Sequence, residues 1–245
     1  MSRHTLGRMH EIFWTKLPGV EYVNSVKIAL RPHALIKSDF PIHFPLWSEI
    51  TKDDVVVEIG ANLGGNSKEF PRYAKSVHSF EPSPKSFKFL VRNTRDIPNL
   101  RCYNAAVSGK TESNQVFNSA FGGGSLVAND DIRYKSQIWV KVVGINDLPF
   151  KFNVMVIDAE GAEIEIFEAF DRWDEVDKIY CETHLVGGRP TEEPIRKILE
   201  AHYPNIFIDK EQSGKYNWVI AKRHAPGQGL IPKDSPLERG IDERG

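Results

Sequence analysis

Cysteine is scarce: Cys102 and Cys181 are the only two in 245 residues. Two thiols can neither build a disulfide framework nor fill a four-cysteine zinc site. No apolar run approaches the ~18–20 residues of a membrane helix, so no membrane association is expected. The first ten residues, Met1 to His10, are polar where a secretory signal carries an apolar core. Nor is there an excess of one charge: 32 basic against 33 acidic side chains leave a formal net charge of -1. That balance argues against a protein held to nucleic acid by bulk electrostatics. What is present, 40% hydrophobic and 27% charged residues, is ordinary globular composition. A soluble, cytoplasmic protein is expected.

The charge is unevenly placed. Residues 1–37 carry Arg3, Arg8, Lys16, Lys27, Arg31 and Lys37 against Glu11 and Glu21, whereas 158–177 hold nine acidic residues against Arg172. Between these regions short apolar runs alternate with helical patterns. Residues 54–59, 76–80, 100–104, 153–158 and 177–183 read as strands, the first a continuous apolar run of the kind buried on both faces. Residues 84–95 and 162–173 read as helices, the second with Ile166, Phe167, Phe170 and Trp173 on its core face and Glu163 and Glu165 toward solvent. Such alternation predicts a parallel sheet with right-handed crossovers. Two extended stretches flanking Gly122-Gly123-Gly124 within 113–143 predict an inserted hairpin. A second hairpin, 205–209 and 216–221 joined through Ser213-Gly214, follows a helix over about 192–202. The expected division is an N-terminal extension, 1–48, a domain over 49–223, and a mobile tail, 224–245, rich in proline, glycine and charge.

The chemistry gathers where strands end. The first strand runs into Glu58-Ile-Gly60-Ala-Asn62-Leu-Gly64-Gly65. Glycines after a buried strand allow a tight turn and a close approach of backbone to a ligand. The spacing is neither the G-x-G-x-x-G dinucleotide fingerprint nor a P-loop. The second strand ends in Phe80-Glu81-Pro82, and an acid at that tip can accept both ribose hydroxyls of an adenosine-containing ligand. The fourth ends in Asp158-Ala-Glu160-Gly161-Ala-Glu163 and the fifth in Glu182-Thr183-His184. Parallel strands share one C-terminal edge, so Asp158, Glu160, Glu182 and His184 are expected to converge for acid–base work or metal binding.

Taken together, Glu58-x-Gly60-Ala-Asn62-x-Gly64, Phe-Glu81-Pro82, Ala105-Ala106-Val-Ser108, Ile-Asp158-x-Glu-Gly161-x-Glu163 and Glu182-x-His184 resemble the FkbM-type methyltransferases over roughly residues 50–222. The first acid is Glu58 where that family more often carries aspartate. The resemblance implies a Rossmann-like α/β class I methyltransferase fold, a mostly parallel seven-stranded sheet of order 3-2-1-4-5-7-6 with a terminal antiparallel hairpin. In that order Cys102 and Cys181 lie four strand spacings apart, roughly 19 Å, beyond the ~7 Å limit of a disulfide. The cofactor implied is S-adenosylmethionine (SAM). Glu58, Gly60 and Gly64 would surround its methionine half, Glu81 would accept its ribose hydroxyls, Asn104, Ala105 and Ala106 would edge its adenine, and Asn62 and Pro82 would also bind the cofactor. Asp158 would lie near the sulfonium and the acceptor; Ser125 either reaches the cofactor carboxylate or is a plain turn serine.

The reaction implied is O-methylation of a hydroxyl on a sugar, glycan or secondary metabolite. An alcohol needs its proton removed as it attacks. His184 is the first choice of base, oriented by Asp158 or Glu182; the rival is a divalent cation, magnesium by its oxygen ligands, held by Asp158, Glu182 and His184. The aromatic, proline-rich stretch with Phe40, Phe44, Pro45 and Trp47 would wall the acceptor or simply pack on the sheet. Two other readings stay open: methylation of RNA or another nucleic acid through the basic N-terminal arm, and a non-catalytic nucleotide-binding protein. A dehydrogenase is disfavoured by the glycine spacing. A homo-oligomer is compatible with all of them.

Overall fold

The computed structural model describes residues 49–120, 123–127, 136–210 and 217–224. The expected N-terminal extension, the tail beyond His224, Gly122 and the Ser213-Gly214 turn lie outside the described residues.

Thirteen strands and four helices are assigned among those residues. Apolar runs become the central strands: β1 (Val55–Ile59), β2 (Ser76–Phe80), β3 (Leu100–Tyr103), β8 (Val154–Ile157) and β9 (Lys178–Thr183). All four residues of β8 and the last four of β1 are buried, as expected for strands covered on both faces. With β12 (Asn205–Lys210) and β13 (Asn217–Lys222) they form a seven-stranded sheet of order β12-β13-β9-β8-β1-β2-β3. Strands β3, β2, β1, β8 and β9 run parallel; β13 is antiparallel to both neighbours. In sequence order of the sheet strands this is 3-2-1-4-5-7-6, the α/β order implied by the resemblance. The all-parallel dinucleotide fold runs 3-2-1-4-5-6 instead. Cys102 and Cys181, on β3 and β9, are buried free thiols.

Helices cover both faces. Helix α1 (Gly65–Tyr73) and α2 (Pro84–Thr94) bury Phe70, Phe87 and Leu90 in one core. Helix α3 (Glu163–Ala169) and α4 (Glu192–Glu200) bury Ile166, Phe167, Ile195 and Leu199 in the other. Pro84 opens α2 where its missing N–H costs nothing, and the Ser83 hydroxyl accepts from Ser86 N at 3.4 Å. Helix α3 ends four residues before the expected Trp173. Asn146 donates to the Ala169 carbonyl at 2.7 Å, Phe170 turns extended, and a 3-10 turn begins at Trp173. Phe170 and Trp173 still meet at 4.8 Å between ring centroids, so the apolar stripe survives the break.

The insertion is larger than a hairpin. Strands β4 (Ala106–Ser108), β5 (Glu112–Ala120), β6 (Gly123–Ser125) and β7 (Ser136–Gly144) form a separate sheet of order β4-β7-β5-β6. Three residues after β3 recruit the end of β7 in parallel, and so the insertion is anchored beside the main sheet's carboxyl edge.

Candidate functional site

The turn after β1 is shaped by what cannot fit in it. Gly60 has φ +91°, and a Cβ there would lie 1.8 Å from the Asp158 carbonyl oxygen. Gly60 N and Ala61 N both donate to the Phe80 carbonyl, at 3.0 and 2.9 Å, tying the turn to the end of β2. Asn62 is also left-handed, φ +48°, and Gly64 caps α1 with φ +87°. At the tip of β2, Glu81 accepts from Asn62 N at 2.8 Å through one oxygen and from Ser83 N at 2.7 Å through the other. Asn104 donates to the carbonyls of Glu81 and Pro82, at 2.8 and 3.0 Å.

These tips surround a cleft that opens to solvent. Of the sequence-predicted residues, Gly60, Asn62, Glu81 and Pro82 line it, as do Ala105, Ala106 and Asp158. Four others hold its walls from behind. Glu58 is buried and accepts from the Ser67 and Ser79 hydroxyls; Gly64 closes the turn; Asn104 pins the β2 tip; buried Ser125 donates to the Ala159 carbonyl at 3.3 Å. Phe117, Gly124, Leu126 and Glu160 also line the cleft. The first three belong to the insertion, and strand alternation alone does not say which face of it looks inward.

At one end an acidic group encloses a histidine. His184, 3% exposed, sits behind the wall rather than in it. Its Nδ1 lies 2.9 Å from Glu163 Oε1, and its Nε2 lies 3.2 Å from Glu160 Oε2 and 3.5 Å from Asp158 Oδ1. Glu163 corrects an expectation. Helical periodicity puts it toward solvent, yet it is fully buried, and the same Oε1 also accepts from Ala159 N and Gly161 N. A first-turn carboxylate folding back onto N–H groups of the preceding turn is the signal that periodicity hides. Glu160, held at φ +53°, takes the place beside His184 expected of Glu182. Glu182 instead lies against Asp158, where its protonated form would donate a hydrogen bond. Among the described residues, Asp158, Glu160 and His184 bring three possible cation donors within 4.8 Å of one another.

Burial raises the acids. It pushes Glu58 to about 7 against the two serine hydrogen bonds, and Glu81 to about 8 against its backbone donors. Asp158 rises to about 6, burial outweighing the pull of His184. For His184 burial opposes the cation, but the Glu163 hydrogen bond and the Glu163, Asp158 and Glu160 charges prevail, to about 10. Each of these groups binds its proton more tightly folded than unfolded. Their stabilisation is therefore fully present below the unfolded values, 3.8 to 4.5 for the acids and 6.5 for His184, and is lost as pH rises from there through the folded values, about 6 to 10. His78, lowered to about 4 by burial, works oppositely, but only below its ordinary pKa near 6.5. The ligand-free protein should melt several degrees lower at pH 9.5 than at pH 6.5. Glu58→Gln/Glu81→Gln should flatten that slope in thermal melts; an unchanged slope would refute the assignment.

No protein-family model matches the sequence, and the search of curated proteins returned no match. Solved structures do match. One is a methyltransferase FkbM from Methylobacillus flagellatus, at 15% identity and TM-score 0.48, covering 69% of this chain and 44% of that one. Another is a precorrin-6y C5,15-methyltransferase from Geobacter metallireducens, at 15% and 0.47, covering 75% and 87%. A third is an rRNA methylase from Streptococcus thermophilus, at 10% and 0.48, covering 76% and 97%. This chain thus spans less than half of the first. At such identities and scores these are similarities in the course of the chain, and they carry nothing about chemistry.

Proposed function

We propose that the protein is a SAM-dependent methyltransferase acting on a hydroxyl of a sugar or secondary-metabolite acceptor. One observation carries this reading. Among its described lining residues the cleft has three carboxylates, Glu81, Asp158 and Glu160, and no basic side chain. Such a lining repels the pyrophosphate of a dinucleotide and the backbone of a nucleic acid, but suits an adenosine ligand that carries a cation and no phosphate. Gly60, which lets β1 pass close to the Asp158 carbonyl, keeps the strand ends together where the cleft opens, and Glu81 would accept the ribose hydroxyls with the lone pairs that Asn62 N and Ser83 N leave free. The sequence motifs add similarity to the FkbM-type enzymes.

When bound, SAM would supply an electrophilic methyl group on a positively charged sulfur. The chain's own part is to align acceptor and methyl and to take a proton. Asp158 faces the cleft, and burial raises its carboxyl above the usual carboxylate range, so it would accept the hydroxyl proton as the acceptor oxygen takes the methyl group. His184, the base expected from sequence, lies behind the wall and is held protonated by Glu163. Its part is to stabilise the Asp158 and Glu160 carboxylates. In a second version Asp158, Glu160 and His184 in its deprotonated form would hold a divalent cation, which would supply acidification of the acceptor hydroxyl; turnover that survives EDTA would sink it.

Calorimetry with SAM and NAD in parallel tests the cofactor. SAM binding is expected, weakened at least tenfold by Glu81→Gln, which turns an amide NH2 toward one of the two backbone N–H groups that the carboxyl oxygens now accept from. NAD binding without SAM binding would overturn the proposal.

A further inference from the structure

The seven-stranded sheet ends differently at its two edges. Strand β3 has four residues, three of them buried. Strand β12, at the other edge, carries Ile206-Phe207-Ile208 between the polar Asn205 and Asp209, with Phe207 41% and Ile208 37% exposed. A free edge is a template for another chain, and natural edges are usually blunted by charge or proline along their length. Here the middle of the edge is apolar. Its backbone phase follows from the ladder beside it. Arg223 N donates to the Asp177 carbonyl at 3.0 Å, one position beyond the Lys222–Lys178 pair of β13 and β9. Antiparallel neighbours alternate between pairs that exchange hydrogen bonds and pairs that do not. Val219 and Ala221 therefore bond toward β9, while Ile220 and Lys222 bond toward β12 through their partners Phe207 and Asn205. That leaves the N–H and C=O groups of Ile206 and Ile208 pointing outward, where no strand is assigned among the described residues.

We infer that β12 is the edge at which two copies of this chain pair, antiparallel across a two-fold axis at Phe207. A second copy fits because the strand is complementary to itself in one register, as a two-fold interface requires. With Phe207 on the axis, Ile206 of each copy falls opposite Ile208 of the other. Both point outward, so each such pair exchanges both of its N–H···O bonds. The side chains agree with the backbone: Phe207 meets Phe207 on one face, Ile206 meets Ile208 on the other, and Asp209 meets Asn205, so that no like charges oppose each other. An axis between two residues would set outward groups against inward ones. Moving it to Ile208 would keep the bonds but put Phe207 against Asp209. Lys222 Nζ, 5.9 Å from the Phe207 ring centre, is paired with Glu49 at 2.7 Å, so the cation beside the aromatic pair is already neutralised. The two sheets would run on as one. This stands independently of the methyltransferase reading, since the cleft is built at the ends of β1, β2 and β8.

Sedimentation equilibrium of the full chain over ~1–100 μM, a range that brackets micromolar affinity, should show monomer and dimer in exchange. Ile208→Pro removes an outward N–H and no bond to β13, a place where an edge strand tolerates proline. It should leave the melting temperature nearly unchanged and weaken association roughly tenfold or more. Phe207→Lys sets like charges against each other on the axis and should weaken it similarly. Trp139→Lys, at a residue 70% exposed on the inserted sheet, should leave association as it is. Cysteine variants read the register. Across a pair without hydrogen bonds the two Cα atoms lie about 4.5 Å apart, within disulfide reach, so oxidised glutathione should link two chains of Phe207→Cys. In Asp209→Cys the two positions lie roughly 14 Å apart and should stay unlinked. A wild type that is monomeric throughout overturns the proposal. So does a dimer that survives both β12 variants, one dissolved by Trp139→Lys, or equal linking of the two cysteine variants.

Discussion

Replacing Gly60 by alanine should cost about 3 kcal/mol or more of stability and abolish binding of the proposed cofactor. Two penalties combine at this residue. A left-handed φ of +91° strains any side-chain-bearing residue, and the new Cβ would stand 1.8 Å from the carbonyl oxygen of Asp158. That oxygen belongs to the backbone at the end of β8 and has no rotamer by which to escape. Either β1 and β8 move apart where the cleft opens, or the turn rotates and releases Phe80. Gly187 supplies the control. Its φ is +58° and nothing lies within 4 Å of a Cβ there, so Gly187→Ala should cost only about 1 kcal/mol, the backbone strain alone. Denaturant melts of the two variants isolate the steric part as their difference. Equal costs would mean that β1 and β8 are not packed as described.

The second large effect is expected at His184. His184→Ala leaves the fully buried Glu163 carboxylate facing a void, with only backbone donors for company. Removing one partner of a buried ion pair typically costs about 3 kcal/mol or more, or roughly 10 °C in melting temperature for a chain of this size. Adding Glu163→Gln should recover part of the loss, because the buried charge goes too. Lost activity in His184→Ala is therefore weak evidence that this residue is the base. The rate profile is more telling. With the imidazolium gone, Asp158 loses the neighbour that lowers its pKa, and the acid limb of the pH–rate curve should move to higher pH. An unmoved limb would exclude Asp158 as the group that titrates.

The central sheet was readable because its strands are continuous apolar runs and parallel order follows from their crossovers. The motif residues were readable for a related reason: strand ends share one edge, so Gly60, Glu81 and Asp158 had to meet. What escaped was decided by short or unpatterned features. Strand β4 has three residues and takes its partner from a segment more than thirty positions away. The hairpin of β10 (Leu185–Val186) and β11 (Arg189–Pro190) has two residues per strand, too few for any periodicity. Glu163 obeyed the N–H groups of Ala159 and Gly161, in the turn before α3, rather than the helical stripe. Phe117 lies in an insertion whose alternation fits either face, and only the packing of β6 reveals which one meets the cleft.

The acidic lining has a consequence for the direction of the proposed reaction. Methyl transfer turns a sulfonium into a neutral thioether, so the spent cosubstrate differs from the fresh one by a single positive charge. A wall of carboxylates in a partly dry cleft senses that difference at close range. It holds the incoming molecule more strongly than the outgoing one, and the reaction itself weakens the grip on its product. Raising the salt concentration should narrow this gap only slightly, since charges set into a cleft are poorly screened. Exchange of product for substrate would then be driven by the same acids that take part in the chemistry.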